Sequence, residues 1–196
     1  MKKIIFNRLV ILGCCIALFT LASVTHTFGQ NNPIITTQQL RVIPTQAILP
    51  NTGTMLVRTN DGIFMTLHTS GLVPGTVATA WVVIFNTPAA CATNPCTPAD
   101  IANPATHGSS LSAGGQIIGA DGTATFGGFR AIGDLTGIFQ GTRGLLLPMT
   151  AEIHLVVRTH GTASTDPAVL AQQLSMFNGG CPPNTCASIQ ISVNQQ

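Results

Sequence analysis

The stretch AWVVIFN, Ala80 to Asn86, carries almost no polar side chain, and its reading governs the rest of the chain. A strand that does not alternate is one covered on both faces, so this run is expected at the centre of a sheet, with Trp81 as a core anchor. Outer strands should show one apolar and one polar face. SIQISVN does so, with Ile189, Ile191 and Val193 alternating with Gln190, Ser192 and Asn194. One wet face favours antiparallel pairing.

Short apolar segments separated by turn residues continue on both sides of Ala80, the spacing of an all-β, antiparallel β-sandwich. Expected strands are Leu40 to Ile43, Met55 to Thr59, Ile63 to His68, Ala78 to Phe85, Gln116 to Gly119, Thr123 to Phe129, Ala151 to Thr159 and Ser188 to Val193. Asn60-Asp61-Gly62 and Ala120-Asp121-Gly122 place Asp-Gly between apolar stretches, where positive φ closes a tight hairpin. One short helix is expected near the C-terminus. Asp166-Pro167 caps it, Leu170, Leu174 and Phe177 form its stripe, and Asn178-Gly179-Gly180 ends it. The segment Thr87 to Gly115 reads as a long irregular loop with a helical turn near Pro98 to Ala102.

Residues 1–29 read as a signal peptide. Lys2, Lys3 and Arg8 precede an apolar run from Leu9 to Ala22, too short for a membrane span, and small polar residues follow to Gly29. A lipoprotein cut before Cys14 would leave apolar CIALFTLAS on the product, so ordinary cleavage is the simpler expectation. Residues 30–38 then form a polar leader and 39–196 a single domain, of ample length for a core.

Cleavage reverses the charge. The full chain is +2, but beyond residue 29 only Arg41, Arg58, Arg130, Arg143 and Arg158 oppose six acids, leaving −1. A mature chain without lysine, a charge run or aromatic–basic interleaving has nothing to neutralise phosphates, so nucleic acid is not an expected partner. No basic amphipathic stretch predicts a membrane-surface helix, so no membrane contact is expected after cleavage.

CATNPC and CPPNTC supply the four mature cysteines, which allow three pairings. Local pairs, Cys91 with Cys96 and Cys181 with Cys186, are favoured by the turn-forming Asn and Pro inside each loop. Disulfides place the chain in a secreted, periplasmic or cell-surface setting. Four residues between cysteines and an oxidising compartment disfavour a four-thiolate zinc site.

The richest chemical stretch is AEIHLVVRTHG, Ala151 to Gly161. As a strand it turns Ile153, Leu155 and Val157 to the core and Glu152, His154, Arg158 and His160 to the opposite face. The simplest reading is a polar outer face with Glu152 and Arg158 solvated or loosely paired. The competing one adds His68 to His154 and His160 as a copper or zinc site of oxidoreductase type, though no HxH, HxxxH or HExxH spacing supports a ligand set. His154, Arg158, His160 and His68 are the candidate binding residues. No GxSxG, GxGxxG or Walker pattern appears and the acids are scattered singly, so no catalytic residue and no cofactor is assigned.

SGLVPGT leading into ATAWVVIFNTPAAC, then ADGTATFGG, AEIHLVVRTHG and FNGGCPPNTC, resembles a group of secreted bacterial β-proteins without an assigned activity, over about Thr66 to Val193. More loosely, the SGLVPGT turn, apolar strand, Asp-Gly hairpin and late histidine-bearing strand are similar to CHRD domains of extracellular proteins. The chain lacks their HIH-type histidine cluster, so the resemblance implies a secreted sandwich and transfers no catalytic or metal residue. The expected function is a secreted binding, adhesive or structural module whose partner is a surface protein or glycan.

Overall fold

The computed structural model describes residues 32–43 and 45–196. The expected signal peptide, residues 1–29, lies outside them. Among the described residues the strands are β1 (Ile34–Gln38), β2 (Arg41–Val42), β3 (Gly53–Thr59), β4 (Gly62–Thr69), β5 (Thr76–Phe85), β6 (Gly108–Ile117), β7 (Ala124–Ala131), β8 (Ile138–Gly141), β9 (Glu152–Thr162) and β10 (Ala187–Asn194). One α-helix, α1 (Pro167–Ser175), lies between β9 and β10. The strands pair antiparallel in two sheets, β1-β3-β4-β7 and β2-β10-β9-β5-β6-β8. The fold is an all-β sandwich with one short helix, and the described residues belong to one compact unit.

Strand alternation builds the main core between the sheets. Leu56, Ile63, Met65, Leu67 and Phe126 project from the four-stranded sheet against Ala80, Val82, Ile84, Ile153, Leu155 and Val157 from the six-stranded one. Each large side chain so covered contributes about 1.5–3 kcal/mol through loss of apolar surface to water. Trp81, Val83, Phe85 and Val156 point the other way and form a second apolar cluster with Cys96, flanked by Ile101, Phe177 and Ile191. β5 and β9 are therefore covered on both sides, which accounts for AWVVIFN. Trp81 anchors the outer cluster rather than the sandwich interior.

Several expectations change. The polar leader contributes β1, which pairs residue for residue with β3 from Ile34 opposite Arg58 to Gln38 opposite Thr54. The long loop holds the expected turn at Pro98–Ala102 but ends at Gly108, where β6 begins. GSSLSAGGQI shows little apolar alternation. It is a strand through its ladders with β5 and β8, and its small residues admit close neighbours: a Cβ on Gly115 would collide with the backbone of Leu174 in α1. At Asn60-Asp61 the hairpin closes without positive φ, since Thr59 Oγ1 accepts from Asp61 N at 3.3 Å and donates to Gly62 O at 3.1 Å. Ala120-Asp121-Gly122 is no hairpin: it carries the chain from β6 in one sheet to β7 in the other, with Gly122 at φ +66° against Leu72 O.

β10 also reverses its expected faces. Gln190, Ser192 and Asn194 are buried, whereas Ile191 and Val193 are only half-buried. A register shift between Ser188 and Gln190 puts Ile189 beside the main core and Ile191 beside the outer cluster. Both ends of the inward Gln190 amide are bonded: Nε2 donates to Ser70 O at 2.9 Å and Oε1 accepts from Thr69 Oγ1, while Asn194 Nδ2 donates to Ile153 O at 3.4 Å. Close by, the fully buried Arg58 donates to Pro148 O (2.8 Å), Ala151 O (2.7 Å) and Asn194 O (3.1 Å), and burial lowers its pKa to about 10. No helix of the described residues is long and apolar enough to cross a membrane.

Candidate functional site

The outward face of β9, expected to be wet, is covered. Glu152, His154, Arg158 and His160 are all buried, His160 completely. The first disulfide loop and its short helical turns lie over one end of the strand, and the exit of α1 with the second disulfide loop over the other. This cover divides the face into two polar clusters separated by aromatic rings.

At the first cluster β9 starts beneath the Cys91–Cys96 loop. The two sulfurs are bonded and the Cα atoms lie 5.3 Å apart. Glu152 Oε1 accepts from Cys96 N at 2.8 Å and His154 Nε2 at 2.6 Å, while Oε2 accepts from Gln195 Nε2 at 2.8 Å. A carboxylate only accepts, so the proton of the His154 contact sits on Nε2. Burial pushes the Glu152 pKa up, but the hydrogen bonds and the imidazole outweigh it and hold the carboxyl below its usual value. Asp100 fastens the loop from above, accepting from Ala92 N (2.9 Å), Thr97 N (2.7 Å) and Thr97 Oγ1 (2.8 Å), and these bonds lower its pKa too. Between loop and strand opens a cleft of about 380 Å³ lined by Thr93, Asn94, Thr150, Glu152 and Gln195.

At the second cluster His160 Nδ1 lies 3.0 Å from Gly179 O, and Nε2 lies 2.9 Å from Thr79 Oγ1, which accepts from Trp81 Nε1 at 2.8 Å. A carbonyl only accepts, so Nδ1 carries the proton and Nε2 takes the Thr79 hydroxyl, a chain complete for the neutral ring. Burial lowers the His160 pKa, as does the Arg158 charge, against the opposing pull of Gly179 O. Arg158 donates to Phe177 O (2.7 Å), Asn178 Oδ1 (2.9 Å), Ser188 Oγ (3.3 Å) and Cys186 O (3.3 Å), and its guanidinium stands 4.0 Å from the centre of the Phe177 ring. Phe177 in turn stacks on Phe139 at 4.1 Å and meets Trp81 edge-on at 5.0 Å.

The candidate residues are thus not one site. Six residues along β9 separate His154 from His160 by about 20 Å at a strand's rise. His68 stands exposed on the four-stranded sheet, 3.0 Å from Thr125 Oγ1. These three histidines share no metal-binding position. Glu152 and Arg158, expected to be solvated or loosely paired, each belong to a separate buried cluster. Thr79 and His160 have nucleophile–base spacing, yet both are completely buried, so no substrate reaches them.

Linear spacing hides two parts of this arrangement. Gln195 closes the carboxylate site from the far end of the chain, and Cys186 Sγ lies 3.4 Å from His160 Nδ1 across 26 residues. The second disulfide, Cys181–Cys186, is also local, with Cα atoms 6.0 Å apart. Both pairings fit an oxidising environment. No protein-family model, no curated protein and no solved structure matches this chain.

Proposed function

We propose that the chain works outside the reducing cytosol, after loss of residues 1–29, as a secreted binding module that recognises a surface glycan at the cleft beside Cys91–Cys96. The observation that carries this reading is the Glu152 carboxylate at the cleft wall, fixed by donors from Cys96, His154 and Gln195. Around it Gln195 Nε2 bonds both Asn94 Oδ1 and Glu152 Oε2, which turns Asn94 Nδ2 and Gln195 Oε1, with the Thr150 hydroxyl, to the paired donors and acceptors of a sugar's hydroxyls. The loop carrying Asn94 is pinned by Cys91–Cys96 and by Asp100, so little ordering remains to oppose binding.

The test is a glycan array followed by titration calorimetry on the oxidised mature protein and on Asn94→Ala and Glu152→Gln. A saccharide hit weakened at least about tenfold by Asn94→Ala, the order expected for a lost buried hydrogen bond, supports the reading. A hit unaffected by both substitutions, or a protein ligand with no saccharide hit, overturns it.

A further inference from the structure

We infer that Cys181, Cys186 and His160 form a redox-gated site for a thiophilic divalent cation, closed while the disulfide is intact and opened by its reduction. Among the described residues these three are the one group of histidine, cysteine and acidic side chains with metal-binding spacing, their donor atoms all lying within 4.8 Å of one another.

Gly179 O completes the set. It lies 3.0 Å from His160 Nδ1 and 3.7 Å from each sulfur, and Nδ1 lies 3.4 Å from Cys186 Sγ. Around a tetrahedral zinc ion, with metal–sulfur near 2.3 Å and metal–nitrogen or –oxygen near 2.1 Å, the edges are about 3.4 Å for N–O and about 3.6 Å for S–N and S–O. The observed separations already approach these values. The largest change is that the two sulfurs must part, to about 3.8 Å, once their bond is broken.

Reduction by a dithiol breaks the S–S bond. Two electrons and two protons pass to the sulfurs, and the dithiol leaves as its own disulfide. Metal binding then releases the two thiol protons to solvent. His160 shifts its proton from Nδ1 to Nε2, where Thr79 Oγ1 accepts it, the outer-shell bond that orients a ligating imidazole. Two thiolates balance the dication, and Arg158, which already donates to Cys186 O, favours them electrostatically. The first disulfide has no imidazole in such a group.

The two cysteines are half-buried, in a loop whose Pro182, Pro183 and Thr185 are exposed, so a reductant has access. The test reduces the full mature protein with a water-soluble phosphine, which brings no competing thiol, and titrates it with zinc or cobalt(II), using Cys181→Ser/Cys186→Ser and His160→Gln for comparison. The expected result is about one metal per chain in the reduced protein and less than about a tenth in the oxidised one, with a thiolate-to-cobalt charge-transfer band absent from the double-serine protein. His160→Gln, if folded, should weaken binding at least tenfold, the order of a lost ligand. Absence of binding by the reduced protein, binding that survives in the double-serine protein, or a sheet spectrum lost on reduction and not restored by zinc overturns the inference.

Discussion

His154 Nε2 lies 2.6 Å from Glu152 Oε1, and the same oxygen takes the backbone N–H of Cys96, so one buried carboxylate joins strand β9 to the first disulfide loop. Removing it leaves three donors unmatched. Glu152→Ala should lower stability by about 2–4 kcal/mol, and Glu152→Gln by less, because an amide oxygen still accepts from some of them. Denaturant midpoints measure this, and equal costs for the two variants would show that lost volume, not lost acceptance, is responsible.

Asn86 fills the corresponding role for the segment before β9. Its Nδ2 donates to His107 O (2.8 Å) and Gly144 O (2.9 Å), and its Oδ1 accepts from Leu146 N (2.7 Å) and Leu147 N (3.1 Å). A buried amide with all these bonds made has no polar substitute of the same shape. Asn86→Leu should cost about 2–4 kcal/mol despite adding apolar volume, whereas Asn86→Asp, which keeps the acceptor and reverses the donor, should cost a similar amount. Thermal melts that find Asn86→Leu neutral would refute this role.

Stability should fall on acidification in two stages. His160 has a folded pKa below its ordinary 6.5, because burial disfavours the cation, so beneath that value the unfolded chain binds a proton that the folded chain refuses. Its stabilising contribution is present above pH 6.5 and lost as pH falls toward the lowered folded value. Glu152 is likewise held below 4.5, so its contribution is present above pH 4.5 and lost as pH falls through its folded value. Denaturation midpoints should be level above about pH 7, decline first below about 6.5 and again below about 4.5. A flat profile between about pH 7 and 5 would contradict the neutral His160 chain, and His160→Gln should remove that first decline.

Strand periodicity made the β9 side of the main core legible: Ile153, Leu155 and Val157 are where alternation puts them. It failed at Gln190, Ser192 and Asn194, because it equates polar with wet, and here Thr69 and Ser70 bond the Gln190 amide while Asn194 Nδ2 donates to Ile153 O and Ser192 Oγ. β6 was hidden for the converse reason. Its Gly and Ser residues carry no apolar signal, and their small size is what lets α1 and the neighbouring loops approach. AEIHLVVRTHG displays its titratable side chains in the sequence, but a strand pattern shows which side chains share a face and not what covers it. The covers come from Cys96, Phe177 and Gln195, at separations that no spacing rule reaches.

Buried hydrophobic and buried polar positions of β9 should therefore both be sensitive. Leu155→Asp should destabilise by several kcal/mol through an unpaired charge in the main core. His154→Ala should cost about 1–3 kcal/mol, since it leaves Glu152 Oε1 with the Cys96 N–H alone and opens a cavity beside Phe85, whose ring meets the imidazole at 5.2 Å. A fully tolerated His154→Ala would mean that the outward face is wet after all.

Trp81, the only tryptophan of the chain, reports on the outer cluster. Its indole is 2% exposed and meets Phe177 and Phe139 edge-on, at 5.0 and 6.0 Å. Phe177 is half-buried, so Phe177→Ala should cost about 1.5–3 kcal/mol, less than a fully buried phenylalanine, and part of the cost comes from the ring face lost to Arg158. Because Leu155 and Val82 lie on the far side of the sheet, the sandwich should stay folded. The folded variant should then show red-shifted Trp81 emission as water enters the outer cluster, with an unchanged far-ultraviolet sheet spectrum. Emission that stays at the wild-type wavelength would place Trp81 in the sandwich interior and reverse the faces of β5. A collapse of both signals together would show that the outer cluster supports the whole sandwich rather than capping one side of it.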